Sequence, residues 1–426
     1  MLKIFITSLI CTLMLFCTNV SAADFQAGDT AYVKAGIESM SVYQNPSYGR
    51  SVAVVIQYNK VTILEPNVVG DGGTFHKIQL QDGTIGYVPA LAGRKDTLET
   101  AEVAEKEIEK WNCKLIRIPM ERRGMNPIKD INLIKSYYEI MKAEKPDLVI
   151  TYTIKPNIYG GFVSRILKVP YAVNITGLGT AFQNNGMLKH MVTLMYKIAL
   201  KKVKIVFFEN SENRDVIVNY GIVPLEKTQV LAGAGVDLEH FQYIEYPEEC
   251  ECTRFLFIGR VMREKGIDEL FEAMRRLKQD GYNCTLDILG GFEENYSSKI
   301  KKYEKEGWLY YQGYQDDIRP FIEKCHCFVL PSWHEGMANT NLECAASGRP
   351  VITSNIHGCL EAIIDGKTGF LAKKKSAEDL YATMKKFIRL SYEERKEMGI
   401  AGRRHMEVVF DKKKVVEETI SYLKNE

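Results

Sequence analysis

Residues 328–353 read FVLPSWHEGMANTNLECAASGRPVIT. Phe328, Val329 and Leu330 form a short apolar run of the kind that makes a buried parallel strand, and Pro331 and Ser332 stop it. A loop with Gly336 and Asn339 follows. From about Thr340 the spacing turns helical, with Leu342, Ala345 and Ala346 on one face. Gly348 ends that helix, Pro350 follows, and Val351 and Ile352 begin another strand. Strand, loop, helix, strand is the repeating unit of a parallel α/β sheet. Two carboxylates, Glu335 and Glu343, stand in the loop and at the helix start, with seven residues between them. Ligands of open α/β sheets bind beyond the carboxyl ends of strands, beside helix N-termini. Amides near Asn341 and Leu342 can receive a phosphate there, and a carboxylate can accept bonds from sugar hydroxyls. Alone, such a pair of glutamates reads as two solvated surface charges, so the surroundings decide.

Upstream, residues 255–266 read FLFIGRVMREKG: a strand, then Gly259, Arg260, Lys265 and Gly266 opening a helix. A third strand, Leu286 to Leu289, runs into Gly290-Gly291. The string HEGMANTNLECAASGRPVI resembles the E-x(7)-E signature of retaining glycosyltransferases of family 4, and G-R-x(4)-K-G resembles that family's diphosphate site. Further segments carry the resemblance: IPMERRGMNP, KPNIYG, NITGLG, FFEN and GAGVD. It runs from near Glu102 to the end of the chain.

The resemblance implies the GT-B fold, a pair of Rossmann-type domains with a cleft between them. It implies transfer of a sugar from a nucleotide diphosphate donor, a UDP-sugar, with retention at the anomeric carbon. The acceptor is a saccharide or a lipid-linked saccharide of surface polysaccharide synthesis. Arg260 and Lys265 would neutralise the departing diphosphate, helped by helix N-terminal amides. Glu343 would bind the ribose, and Glu335 would hold the donor sugar and favour positive charge at its anomeric carbon. Gly259, Gly290, Gly291, His334, Gly336, Asn341 and Leu342 complete the donor side. Thr176 and Gly177 fall on the acceptor side, Thr176 where many members carry histidine. With cations at the diphosphate, no metal or other cofactor is expected, and no D-x-D motif is present.

The rest of the chain bounds this reading. Its 426 residues allow two or three domains, and a net charge of +2 gives no broad basic field for nucleic acid. Eight of the ten cysteines lie from Cys113 onward, scattered as reduced thiols would be rather than framing a small disulfide domain. Cys250-Glu-Cys252 and Cys325-His-Cys327 lack a second pair at zinc spacing. Ser376 with Asp379, and Ser391 with Glu394, read as capping boxes opening the last helices.

Four regions follow. Residues 1–22 read as a secretory signal peptide: Lys3, an apolar run from Ile4 to Phe16, and Val20-Ser21-Ala22 at the cleavage site. A rival reading makes Leu2 to Thr7 the first strand of a nucleotide-binding sheet. Residues 27–92 are β-rich, with strands at 30–34, 52–57, 61–65 and 75–80 and an Asp82-Gly83 turn into 84–88. Their closing DGTIGYV resembles bacterial Src-homology-3-like domains, which implies a small barrel contacting cell-wall peptide or protein; an inert spacer fits as well. Residues 97–240 read as a partial Rossmann-like acceptor domain. It opens with a charged helix over 97–112 and continues with strands at 115–118, 148–151, 171–175, 205–208 and 229–231 and helices near 129–143, 157–168, 187–200 and 212–220. Residues 241–426 read as the nucleotide-sugar domain, ending in a helix over 411–424 that in the family crosses back to the first domain.

Three expectations follow. The first sheet lacks the family's opening strands and leaves an edge uncovered, a pairing hazard, so transfer should be weak or absent. An export signal conflicts with a cytosolic donor, which leaves two localisations and an alternative function: an exported binding barrel fused to a dead transferase remnant. Met187 to Leu200, followed by Lys201 and Lys202, fits a peripheral membrane helix or a core-packed one equally.

Overall fold

The computed structural model describes residues 127–424 apart from 179–181, 183–185 and 316, together with short strands before residue 101 and scattered positions between 113 and 120. The chain divides into two compact units, residues 12–118 in one and residues 1–11 with 119–426 in the other. In sequence, the smaller unit is thus an insertion in the larger.

The first strand, β1 (Ile4–Thr7), belongs to the larger unit. The smaller unit contains β2 (Thr30–Val33), β3 (Ser39–Tyr43), β4 (Ser51–Ile56), β5 (Lys60–Gly70), β6 (Gly73–Leu80), β7 (Ile85–Ala90) and β8 (Leu98–Thr100). They form one antiparallel sheet in the order β4-β3-β7-β6-β5-β2-β8. Among the described residues no pairing joins β4 to β8. β6 and β7 pair from Thr74↔Ala90 to Gln79↔Ile85, and the Asp82-Gly83 turn between them lies outside the described residues. The segment expected to begin a helix at 97 is instead β8, paired with β2. Pairing with a distant partner outweighs a local helical pattern there. Residues 101–112 lie outside the described residues.

The larger unit has two sheets. The first is parallel, in the order β1-β9-β10-β11-β12, with β9 (Leu148–Tyr152), β10 (Tyr171–Ile175), β11 (Ile205–Phe208) and β12 (Thr228–Val230). Helices Pro127–Glu144, Ile154–Leu167, Met187–Ala199 and Ser211–Asn219 connect or flank these strands. Of the strand expected at 115–118, Ile116 and Ile118 lie in no strand, and positions 115 and 117 are outside the described residues. Its place beside β9 is taken by β1, in register from Ile4↔Leu148 to Thr7↔Thr151. Two expectations are corrected by that pairing. The edge beside β9 is covered, and Ile4–Thr7 is a strand of the sheet, as the rival reading had it. Both candidate segments are strand-forming, and local pattern does not say which one a parallel sheet recruits across more than 140 intervening residues.

Helix Met187–Ala199 has one buried face and one exposed apolar face. Val192, Thr193, Tyr196 and Ala199 are buried, while Met187, Leu188, Met191, Leu194 and Ile198 face solvent. Among the described residues no helix is long and apolar enough to cross a membrane.

The second sheet is also parallel, in the order β15-β14-β13-β16-β17-β18. Its strands are β13 (Thr253–Ile258), β14 (Cys284–Leu289), β15 (Leu309–Gly313), β16 (Cys327–Leu330), β17 (Val351–Ser354) and β18 (Gly369–Ala372). One core cluster runs through it, including Phe255, Phe257, Leu286, Phe328, Leu342 and Phe387. Arg349 is wholly buried, and its guanidinium donates to the carbonyls of Ile322, Ile244, Glu245 and Glu323, which satisfies a group that is otherwise costly to bury. Ser391 and Glu394 form the expected capping box, and Ser376 accepts from the Asp379 amide.

Helix Lys412–Lys424 crosses back onto the first sheet. Val415 joins Ala172, Ile205, Phe207 and Leu231 in a small core, and Tyr422 packs edge-on to Phe207. Where the two crossings meet, the Val236 amide donates to Phe410 O at 2.7 Å and the Lys412 amide donates to Val236 O at 3.1 Å.

Candidate active site

The site forms at the carboxyl ends of β13, β14 and β16. Gly259, just past β13, donates its amide to Leu289 O, Gly290 donates to Gly313 O, and Val261 donates to Gly291 O. These bonds lash the three glycine-bearing turns together. Gly266 has φ +73°, and a Cβ there would lie 2.0 Å from Pro331 O, so only glycine lets the turn Arg263–Lys265 dock beneath the end of β16. That docking delivers Lys265 to the Glu335 loop.

Lys265 Nζ donates to Glu335 Oε1 at 2.6 Å, and Ser332 Oγ donates to the same oxygen at 2.6 Å. Both side chains of the ion pair are largely buried, at 19% and 12% exposure, so neither glutamate of the motif is a solvated surface charge. Arg260 Nη1 bonds Glu293 Oε2 at 2.8 Å. His334 Nε2 lies 3.3 Å from Glu264 Oε2.

Helix Asn339–Ala346 holds the second glutamate. Glu343 is buried, and its Oε2 has no hydrogen-bond partner among the described residues. Burial raises its carboxyl to about 7. A buried carboxylate oxygen without a donor is costly, which fits a position completed by a ligand's hydroxyls. One expected contribution from this helix is corrected. The Asn341 amide is not free, because a tight first turn sends it to Ala338 O at 2.9 Å. The Leu342 side chain is fully buried in the core and anchors the helix there.

From the first sheet, the end of β10 reaches the same loop. A Cβ on Gly336 would lie 1.6 Å from Thr176 O and 2.8 Å from Glu209 Oε2. Asn210 Nδ2 donates to Gly336 O at 2.7 Å. Thr176, Gly336, Glu335 and Lys265 are therefore brought together, while Gly177 has open space where a Cβ would stand. Three participants were not foreseen: Glu293, Ser332 and Glu209. Glu209 follows the apolar run of β11, and an acid directly after four buried residues at the carboxyl end of a strand is the signal that marks it.

The geometry is that of a cleft with cations for an anion, a buried carboxylate for hydroxyls, and a second carboxylate where the two sheets meet. Comparisons with known proteins agree. A family model described as Glycosyl transferases group 1 matches residues 248–405, and one described as Glycosyl transferase 4-like matches residues 97–210. The chain is similar to the N,N'-diacetylbacillosaminyl-diphospho-undecaprenol alpha-1,3-N-acetylgalactosaminyltransferase of Campylobacter jejuni, 27% identical over 69% of this chain and 82% of that one. It is similar to the capsular polysaccharide biosynthesis glycosyltransferase CapM of Staphylococcus aureus, 25% identical over 80% of this chain and 92% of CapM. Of solved structures, Anabaena HepE in complex with UDP and glucose superposes with a TM-score of 0.61 at 15% identity, over 75% of this chain and 89% of that one. TarM of S. aureus superposes with a TM-score of 0.58 at 15% identity, over 94% of this chain and 80% of TarM, which shows a shared fold. The two matched segments, the paired parallel sheets and the cleft they form make this chain a glycosyltransferase of the GT-B fold.

Proposed function

We propose that the chain transfers a sugar from a UDP-sugar, with retention, to a lipid-linked saccharide in surface polysaccharide synthesis. The observation that carries this is the largely buried Lys265–Glu335 pair together with Glu343, whose buried Oε2 has no hydrogen-bond partner among the described residues. Ribose hydroxyls would donate to Glu343. The diphosphate would draw Lys265 and Arg260 from Glu335 and Glu293, so the negative charge that builds as the C1–O bond breaks meets two cations without a metal. Glu335, released toward the sugar, would favour positive charge at C1. The acceptor oxygen arrives on the face the diphosphate leaves. Relatives named for undecaprenyl-linked acceptors and for capsule synthesis support the acceptor class. Calorimetry of the full chain with UDP, and the anomeric coupling of the first-formed product, test it. No heat with UDP, or an inverted product, overturns it.

Helix Met187–Ala199 supplies a place for a lipid-linked acceptor to come from. Its solvent face is Met187, Leu188, Met191, Leu194 and Ile198, with Lys189, Lys197, Lys201 and Lys202 around it, and no acidic residue occurs from 187 to 208. An apolar stripe ringed by cations matches an anionic bilayer surface. Leu194→Glu should abolish sedimentation with phosphatidylglycerol vesicles and leave UDP binding unchanged; equal sedimentation of both proteins would remove the membrane contact. The reading places the enzyme on the cytoplasmic face, with residues 1–22 retained because Ile4–Thr7 is part of the sheet. An intact mass lacking those residues would refute it.

A further inference from the structure

Glu209 has no role in the chemistry above, yet it lies where the two sheets touch. It is 7% exposed and follows β11 directly. Its Oε2 lies against the Gly336 backbone, since a Cβ on that glycine would be 2.8 Å away. The next residue, Asn210, holds Gly336 O at 2.7 Å, so of two consecutive side chains of the first half one bonds a peptide of the second and the other fills the space where a Cβ on that residue would stand. That peptide adjoins Glu335.

We propose that Glu209 is a positioning residue for Glu335: packed under the loop of residues 335–336 beside Asn210, it lets the loop lie against the first sheet and fixes how Glu335 faces the donor sugar. This rests on the transferase site described above.

The surroundings favour the neutral form. Burial is the larger cause and the Glu335 carboxylate the second, and together they raise the Glu209 carboxyl to about 8. The charged group that acts on it is Glu335, from the loop after β16, which is itself paired with Lys265. Thr176 and Asn210, from the first half, carry no charge. His334 is turned to Glu264. If the loop lifts, water reaches Glu209 and its carboxyl returns to an ordinary value near 4.5. The lifted state then releases a proton that the seated state holds. Lifting is favoured as pH rises from that value to about 8 and gains nothing more above it.

Hydrogen exchange of amides 334–338 in the full chain, corrected for the intrinsic pH dependence of exchange, tests this without requiring turnover. The expected result is an opening constant that rises about tenfold per pH unit between roughly 6 and 8 and then levels. Glu209→Gln keeps a neutral group of the same shape, so its loop should stay protected with no such slope. Glu209→Ala should be unprotected throughout. An unchanged slope in Glu209→Gln, or no slope in the parent, overturns the proposal. UDP calorimetry on the same samples reads the donor site separately: a protein that shows the slope but binds no UDP keeps Glu209 as the loop's anchor and removes the UDP-sugar reading alone.

Discussion

Lys265 Nζ and Glu335 Oε1 stand 2.6 Å apart, one on the turn after β13 and the other on the loop after β16. Each is the other's counter-ion before any ligand arrives. Binding of a diphosphate is thus an exchange of partners, and the cost of separating a largely buried pair is set against stronger bonds to phosphate oxygens. Lys265→Ala should weaken UDP binding by about 1.5–3 kcal/mol, the range of a hydrogen bond to a charged group. Calorimetry checks it, and a loss below about 0.5 kcal/mol, as for an exposed pair, would remove Lys265 from the diphosphate site.

Glu335→Gln should separate chemistry from binding. The amide keeps the loop's shape but loses the charge that favours an electron-poor C1, so turnover should fall by roughly 10²-fold. UDP affinity should change far less. Equal losses in both would assign Glu335 to the nucleotide.

Two buried carboxyls set a pH dependence of stability. Glu209 is raised to about 8 and Glu343 to about 7, both chiefly by burial, from 4.5. Folded protein therefore holds protons that the unfolded chain has released. Their contribution is fully present below about 4.5 and is lost as pH rises, through about 7 for Glu343 and about 8 for Glu209. Thermal midpoints measured from pH 5 to 9 should show this decline, and Glu343→Gln should make it about half as steep below pH 7, leaving the part that Glu209 carries up to about 8. A variant with the parent's profile would mean that Glu343 is ionised in the folded chain.

Gly336→Ala should abolish transfer and spare UDP. Its Cβ would sit 1.6 Å from Thr176 O, so the loop and β10 must part, whereas Glu343 and Lys265 are anchored elsewhere in the second half. Steady-state rates beside calorimetry decide it; normal turnover would show that the two halves need not touch there.

Phe207→Ala should cost about 3–5 kcal/mol, the usual loss for a large aromatic in a packed core. Phe207 is 1% exposed and packs on Tyr422 of the returning helix. Urea unfolding measures it. A loss under about 1 kcal/mol would mean that the helix docks without this contact.

What the sequence disclosed follows from which forces are local. The strand, loop and helix around Glu335 are encoded by neighbours in the chain, and they stand where residues 328–353 put them. The capping box at Ser391 is local and was legible too. β1 was ambiguous because its partner, β9, lies far along the chain. β8 was misread because its partner, β2, outweighs its own pattern. Within the site, Lys265 and Glu335 were each marked by motif, but their bond crosses 70 residues and needed the fold. Glu209 carries its meaning only through Gly336, 127 positions away.

The contact between Val236 and residues 410–412 has a kinematic consequence. The chain passes between the halves twice, and the two passages are hydrogen-bonded to each other at 2.7 and 3.1 Å. Two tethers set apart would lock the halves, and one alone would let them swivel freely. Two tethers fastened at a single point leave one easy motion, rotation about that point, with sliding and twisting resisted by both. Gly235 takes part, since a Cβ there would strike the Lys412 backbone at 2.6 Å. A change of angle between the halves would turn about residue 236 and carry Glu335 past the first sheet along an arc set by the chain's own crossing.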